Sequence, residues 1–314
     1  MSAAPADDRR MPAVKHLYQN HILDSARWNF LRLRDDDIIV TTSYKAGTTW
    51  MQAIVGNLIF AGQKLPAQIS ELSPFLEFRI EPLEIVLTGL ERQRHRRFIK
   101  THLPLDGFPF DRRLKYIHVG RDARDVFMSF WNHYRMFTDE MLPLINLIPG
   151  RVGGPLPPCP DDIHELWHNW ITCGWFEWET EGYPWWSNLH NVQSWWDYRH
   201  LDNILLVHFS DLLADLDGQI RRVAHFLEMK VPDDAWPVIV RNCSFEKMKA
   251  EAEWFAPRGG QPWKGGAQTF FHKGTNGRWK DILSAEELTL YDEAAKRVLT
   301  AECRRWLENG TAPR

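Results

Sequence analysis

Short apolar segments alternate along the chain with longer stretches in which apolar residues recur at helical spacing. Four short segments, at 38–42, 97–102, 114–119 and 203–209, have the composition of buried strands. Buried strands that alternate with helices are typical of parallel sheets with helices on both faces. The pattern therefore predicts an α/β fold with a central, mainly parallel sheet flanked by helices.

The loop after the first predicted strand is a candidate anion site. Gly47 allows a tight turn, and Thr48 and Thr49 are expected to cap the helix that follows. The N–H groups at a helix start and the helix dipole favour a negative ligand, and Lys45 adds a positive charge. The loop lacks the Walker A pattern G-x-x-x-x-G-K-[ST], so it is P-loop-like only in its arrangement.

Charged side chains also mark the ends of the second and third predicted strands. Lys100 and His102 end the second strand, and Arg121 ends the third, with Ser129 two turns into the next helix. Ligands of open α/β sheets bind at the carboxyl ends of strands. We therefore expect these residues near the first loop, although a solvated Lys or His, or a salt bridge from Arg121 to Asp125, would also fit the sequence.

Composition narrows the possible classes of protein. The chain has 314 residues, 38 Lys and Arg against 41 Asp and Glu, and 44% hydrophobic residues. The chain lacks the excess of basic residues that is typical of nucleic-acid binders. It also contains no apolar run as long as a membrane span. Four dispersed cysteines favour a reducing, cytoplasmic compartment. We expect a disordered N-terminus over 1–12 and a single domain over 13–314.

A second motif points to a different chemistry. Residues 164–168 read His-Glu-Leu-Trp-His, which fits the zinc protease pattern H-E-x-x-H. His164 and His168 would share one helix face, so a zinc hydrolase is a geometric possibility. The pattern is short, and no further H-x-x-G-x-x-H segment follows it, so this alternative ranks low.

Residues 44–50, Tyr-Lys-Ala-Gly-Thr-Thr-Trp, resemble the 5′-phosphosulfate loop of the cytosolic sulfotransferases, usually Tyr-Pro-Lys-Ser-Gly-Thr-Thr-Trp. Three later stretches resemble the same family in the same order, at 100–104, 115–134 and 272–280. Four ordered matches spread over 38–280 are more specific than any one motif.

The resemblance implies transfer of a sulfuryl group from 3′-phosphoadenosine-5′-phosphosulfate (PAPS) to an acceptor hydroxyl, without a metal, leaving adenosine 3′,5′-bisphosphate. Lys45 would stabilise the leaving phosphate oxygen, Lys100 would assist at the sulfuryl group, and His102 would be the general base. Another nucleotide-dependent transferase or kinase is the alternative, although the missing Walker A motif argues against it.

The resemblance also implies a nucleotide site. Its 5′-phosphate would lie at the first loop, its 3′-phosphate near Arg121, and its adenine among aromatic rings. The residues that the resemblance assigns to nucleotide binding are Lys45, Ala46, Gly47, Thr48, Thr49, Trp50, Arg121, Ser129, Phe209, Cys243, Phe245, Phe271, His272, Lys273 and Gly274.

Beyond the first loop, four of the matched positions depart from the family pattern. His272 stands in place of an arginine that contacts the 3′-phosphate, and Arg278 in place of an aspartate. Because histidine is only partly charged near neutral pH, nucleotide affinity is expected to be weaker or pH-dependent. Phe209 replaces a tyrosine and Cys243 a threonine.

The acceptor side is particular to this chain. Segments 138–163 and 254–268 are rich in Pro and Gly and are expected to form lids. Residues 176–189 look inserted relative to the family and are rich in tryptophan, which favours a lipophilic phenol, alcohol or lipid as the small-molecule acceptor. A helix is expected over 284–307. The family's dimerisation signature is not kept near 280–289, so the oligomeric state stays open.

Overall fold

The computed structural model describes residues 11–310, so the disorder expected over 1–12 falls almost entirely outside it. At its centre lie four parallel strands in the order β2-β1-β3-β4. They are β1 (Ile38–Thr42), β2 (Phe98–Thr101), β3 (Lys115–Gly120) and β4 (Ile204–His208). The predicted fold class and all four predicted strands are confirmed, and every pairing in this sheet is parallel.

Helices cover both faces of the sheet. The α-helices are Thr48–Ile59, Ile69–Leu72, Leu83–Arg92, Ala123–Tyr134, Met141–Asn146, Ile163–Thr172, Leu189–Trp196, Phe209–Ala214, Leu216–Phe226, Trp236–Asn242, Phe245–Ala250, Ala252–Phe255, Ala267–Phe270, Ala285–Val298 and Ala301–Asn309. The 3₁₀ helices are Ser25–Phe30, Leu105–Gly107, Asp233–Ala235, Pro257–Gly260 and Arg278–Asp281. Between residues 11 and 310, no helix is both long and apolar enough to span a membrane.

Alternation along the strands creates two apolar cores. Ile38 and Val40 of β1 pack on one face with helix residues such as Met51. Ile39, between them, packs on the opposite face in a cluster that includes Trp195. Because successive strand residues point to opposite faces, a strand covered on both sides is buried at every position, as all five residues of β1 are.

The strand register brings the carboxyl ends of all four strands to one edge. Thr41 of β1 lies opposite Thr101 of β2 and His118 of β3, and Gly120 lies opposite His208 of β4. The residues that follow each strand therefore leave the sheet together. This edge is where an open α/β sheet binds its ligand.

The C-terminal region corrects the prediction of one helix over 284–307. The capping box at Ser284 is present, but the first helix ends where Leu299 turns extended, with φ −100° and ψ 140°. The side chain of Thr300 then accepts a hydrogen bond from the N–H of Cys303 and caps a second helix. A threonine that caps a new helix start explains why the helical spacing did not continue.

Candidate active site

A cavity of about 610 Å³ lies at the edge where the four strands end. All three predicted catalytic residues and most of the predicted nucleotide-binding residues line it. The predicted residues in its wall are Lys45, Gly47, Thr48, Thr49, Trp50, Lys100, His102, Arg121, Ser129, Phe209, Phe245, Phe271, His272, Lys273 and Gly274. The side chains of Ala46 and Cys243 are instead buried in the two apolar cores.

The loop after β1 has a backbone that requires glycine. Gly47 has φ 117°, and a Cβ at this position would lie 3.0 Å from the ring of Phe209. Gly47 is itself the N-cap, and Thr48 and Thr49 are the first helical residues, which corrects the expectation that they cap the helix. Since Gly47 has no side chain to cap the helix, the N–H groups of its first turn are left for an anion.

Lys45 is a half-buried cation in an aromatic and basic environment. Its Nζ lies 3.1 Å from Nδ1 of His133 and 4.5 Å from the ring centre of Phe270. Burial, followed by the positive charges of Arg121 and Lys100, lowers the pKa of Lys45 to about 7. An ammonium group with this pKa is only partly charged at neutral pH, and a bound anion would favour its charged form.

His102 is held in one tautomer by the end of β1. Its Nδ1 lies 3.0 Å from the carbonyl oxygen of Thr42 and 3.2 Å from the hydroxyl of the same residue. A carbonyl only accepts hydrogen bonds, so Nδ1 carries the proton and Nε2 is left as an acceptor. Burial, then the charges of Lys100 and Lys45, lower the pKa of His102 to about 3. The ring is therefore neutral at physiological pH.

A buried carboxylate, Glu77, holds the end of β2 and was missed by the sequence analysis. It accepts hydrogen bonds from the Thr101 hydroxyl at 2.6 Å and from the His102 N–H at 2.8 Å. The Trp28 indole donates to its other oxygen at 2.9 Å. Burial lowers the pKa of Lys100 to about 8, although the charge of Glu77 opposes this shift. Glu77 thus holds the main chain of His102 from behind the wall, and its charge favours the protonated form of Lys100.

Arg121 joins three parts of the wall. Its guanidinium donates to the Lys45 carbonyl at 3.2 Å, to the Thr275 carbonyl at 3.0 Å and to the Asn276 side-chain oxygen at 3.0 Å. The carboxylate of Asp125, the partner suggested by the sequence, instead accepts the Gly277 N–H at 2.8 Å. Arg121 therefore ties the first loop to the segment that carries the Lys273 motif.

Aromatic rings form the wall beside these phosphate-binding candidates. The Trp50 indole donates to the Cys243 carbonyl at 2.7 Å and meets the Phe209 ring edge to face at 5.3 Å. Gly274 has φ 65°, and a Cβ there would lie 2.6 Å from the ring of Phe245. Cys243 thus positions Trp50 from the core, and Gly274 lets the main chain approach Phe245 closely.

His272 lies at the more open part of this wall. Partial burial lowers its pKa, and the nearby charges of Arg278, Lys273 and Lys249 act in the same direction. Lys249 also donates to the His272 carbonyl at 3.3 Å. With its pKa lowered in this way, His272 carries less positive charge near neutral pH than the arginine usual at this position in the family would.

The opposite end of the cavity is mainly aromatic. It draws on both predicted lid segments and on the predicted insertion, whose Trp185 and Trp186 line the wall. Trp178 of the insertion stacks on His16, with 4.2 Å between ring centres. The rings at this end are those of Phe75, Phe78, Phe137, Trp185, Trp186, Trp263 and Phe270.

Comparison with known proteins identifies the family of this chain. The family model of the sulfotransferase domain matches residues 35–302. The chain belongs to the sulfotransferase family. A glycolipid sulfotransferase of Mycobacterium tuberculosis (strain ATCC 25177 / H37Ra) is 32% identical over 307 residues and 94% of each chain.

Solved structures share the fold of this sulfotransferase. A mouse sulfotransferase, SULT7A1, complexed with PAP, superimposes with a TM-score of 0.67 at 21% identity, over 90% of this chain and 91% of that chain. Retinol dehydratase in a complex with retinol and PAP gives a TM-score of 0.64 at 22% identity, over 92% and 86%. The expected family and fold are therefore confirmed.

His133 is a wall residue of this sulfotransferase that the sequence analysis missed. It follows Ser129 by four positions on the helix Ala123–Tyr134, and residues at that spacing share one helix face. That spacing was the available signal, because Ser129 was already expected to face the nucleotide. Its contact with Lys45 becomes visible only once the helix packs against the first loop.

The H-E-x-x-H motif lies away from this cavity. His164 pairs with the carboxylate of Glu287 at 2.8 Å, and the side chain of His168 is exposed. Within residues 11–310, no group of three or more His, Cys, Asp or Glu residues could hold a metal ion. The two histidines therefore lie on the exposed face of their helix, where His164 contacts the helix Ala285–Val298, and the zinc hydrolase alternative loses its basis.

Proposed function

We propose that this sulfotransferase moves the sulfuryl group of PAPS to a hydroxyl of a small lipophilic acceptor, with His102 as general base. The observation that carries the proposal is the position of Lys45, Lys100 and His102 in one wall, between a basic end and an aromatic end. In-line transfer at a charged centre depends mainly on positioning and on charge stabilisation. Two lysines supply the charge without a metal.

The basic end fits a nucleotide with two phosphate groups. The helix start at Thr48 and the ammonium of Lys45 would hold the 5′ side, and Arg121 with Ser129 and Lys273 would hold the 3′-phosphate. Trp50, with the rings of Phe209 and Phe245, would pack the adenine. When bound, PAPS supplies the sulfuryl group and the bisphosphate leaving group.

His102 has the tautomer that a general base needs. Its Nδ1 proton is directed at Thr42, so Nε2 is the atom that would take the proton of the acceptor hydroxyl. Burial and two nearby ammonium groups make this imidazole a weak base. A bound anion would offset those positive charges and raise the pKa of His102 toward its ordinary value.

The aromatic end supports a lipophilic acceptor. Rings from the insertion, from the second lid segment and from the connection over 61–96 line this end, which suits a largely apolar molecule that presents one hydroxyl. The names of two relatives, a glycolipid sulfotransferase and a retinol dehydratase, point to acceptors of this character. A phenol, an alcohol and a lipid all fit this description.

The test is transfer of ³⁵S from labelled PAPS to a panel of phenols, sterols, fatty alcohols and glycolipids, with EDTA in a parallel series. We expect labelled product that needs PAPS, persists in EDTA and is strongly reduced by His102→Ala. Phosphate transfer from ATP that requires magnesium, with no transfer from PAPS, would overturn the proposal and support a kinase.

A further inference from the structure

His133 stands between the two ends of the cavity, next to Lys45. Its ring is packed by Trp185, Trp263 and Phe270, with ring centres 5.7, 4.8 and 6.1 Å away. Its Nδ1 lies 3.1 Å from Nζ of Lys45. The ring is therefore fixed by packing, with one nitrogen aimed at the candidate catalytic lysine.

The direction of this hydrogen bond follows from chemistry. An ammonium group has only donors, so Nδ1 of His133 accepts, and the proton of the neutral ring is on Nε2. Burial, then the charges of Lys45, Lys100 and His102, hold the pKa of His133 well below its ordinary value. The imidazole thus remains an uncharged acceptor over the pH range in which the lysine is protonated.

Lys45 depends on this acceptor because its other close neighbours are apolar or positive. The Phe270 ring lies under the ammonium, and the charges of Arg121 and Lys100 oppose its protonation. A buried ammonium without a hydrogen-bond acceptor loses its proton or moves toward solvent. Lys45 also has a positive φ of 60°, a conformation that is uncommon for residues other than glycine.

We propose that His133 is a positioning residue that keeps the Lys45 ammonium charged and directed at the start of the helix Thr48–Ile59. This inference rests on the proposed function, in which Lys45 stabilises the leaving phosphate oxygen. His133 itself needs no contact with the substrate for this role. Its effect on the rate is expected to pass entirely through Lys45.

Two substitutions of nearly equal shape separate hydrogen bonding from packing. His133→Asn keeps an acceptor close to the position of Nδ1, whereas His133→Leu has a similar volume and no acceptor. We expect His133→Leu to lower kcat about 10- to 100-fold relative to His133→Asn, the scale of one hydrogen bond to a charged group. Equal kcat values in the two variants would overturn the proposal, because both lose the same ring packing.

The pH dependence gives a second readout. Without its acceptor the ammonium loses its proton more easily, so the basic limb of the kcat/KM profile should move to lower pH in His133→Leu than in His133→Asn. The other titrating groups that face Lys45, namely Lys100, His102 and Arg121, are the same in both variants. Superimposable profiles would count against a role through Lys45.

A double-mutant cycle with Lys45→Met tests whether the two residues act as one unit. We expect His133→Leu to cause no further loss of kcat in the Lys45→Met background. The same fold-loss in both backgrounds would show that His133 acts independently and would overturn the inference. If the wild-type enzyme itself failed to transfer from PAPS, the proposed function would fail first, so the two failures are distinguishable.

Discussion

The two ends of the cavity are built in different ways. The basic end consists of strand ends and helix starts, where the register of β1 with β2 and β3 fixes each residue. The aromatic end consists of side chains from long connections, including 138–163 and 254–268. Regular elements hold the charges of the basic end in fixed relative positions, whereas side chains on connections present a more adaptable surface. Under the proposed function, the chemistry and the choice of acceptor are thus assigned to different parts of the cavity.

His102 lies at the junction of these two ends. Its Nδ1 is bound to Thr42 on the sheet side, and its ring meets Phe75 edge to face at 4.9 Å on the aromatic side. A substitution here should affect the transfer step without loosening either end.

We therefore expect the largest effect from His102→Ala, a loss of kcat of about 10²- to 10⁴-fold, which is the usual contribution of a general base. The bisphosphate should bind almost as in wild type, since no predicted phosphate contact is removed. Steady-state kinetics and calorimetry measure the two effects. His168→Ala, which alters an exposed histidine, is the control. Near-normal turnover of His102→Ala would remove the base assignment.

The second largest effect is expected from pH, which should change nucleotide binding at the basic end much more than acceptor binding at the aromatic end. Lys45, with a pKa of about 7, and Lys100, with a pKa of about 8, lose their protons as pH rises when no anion is bound. A bound anion favours the protonated forms, so proton linkage predicts that bisphosphate affinity falls by up to about tenfold per lysine for each pH unit above 8. Binding of an apolar acceptor should change little over this range.

Calorimetry at pH 8 in two buffers of different ionisation enthalpy would measure the accompanying proton uptake. Binding without proton uptake would contradict the depressed pKa values of the two lysines.

A smaller effect is expected where the main chain approaches Phe245, a ring that we propose packs the adenine. Gly274→Ala places a Cβ 2.6 Å from Phe245 at a positive φ, so the ring or the loop must move. Strain of about 1–3 kcal/mol predicts bisphosphate binding weaker by roughly 5- to 100-fold, with the KM of the acceptor little changed.

Gly89→Ala is the matched control, because a Cβ there meets no atom within 4 Å. If the two alanine variants bound the bisphosphate equally well, the chain around Gly274 would not contribute to the nucleotide end.

The smallest effect is expected at the aromatic end. Arg258, in the second lid segment, pairs with Glu81 across the cavity rim at 2.5 Å, and both side chains are more than a third exposed. Exposed pairs contribute at most about 1 kcal/mol, so Arg258→Ala should raise the KM of the acceptor only a few-fold. Bisphosphate affinity measured by calorimetry should stay constant. If Arg258→Ala weakened nucleotide binding more than acceptor binding, the claim that the two ends bind different molecules would be contradicted.

The basic end could be predicted from the sequence because its parts are local. A strand, a glycine turn and a helix start lie within residues 38–62, and the strand ends carry Lys100, His102 and Arg121 directly. Parallel pairing then brings them to one edge without further information. The motif resemblance supplied the order of the parts.

The remaining features depend on tertiary packing, which no local pattern encodes. Glu77 reaches His102 from a connection with no regular spacing, and His133 meets Lys45 from a separate helix. The break at Leu299 follows from a cap that competes with helical spacing. The aromatic end combines rings from distant segments, so its shape could not be derived from the tryptophan content.

The most direct test of the central claim is a calorimetric titration with adenosine 3′,5′-bisphosphate, compared with 5′-AMP and with ATP and magnesium. The account predicts that the bisphosphate binds most tightly and that, at a hundred times its dissociation constant, it adds about 2.7 kcal/mol to the free energy of unfolding. Equal binding of bisphosphate and 5′-AMP, or tighter binding of ATP with magnesium, would contradict a sulfotransferase nucleotide site at the ends of these strands.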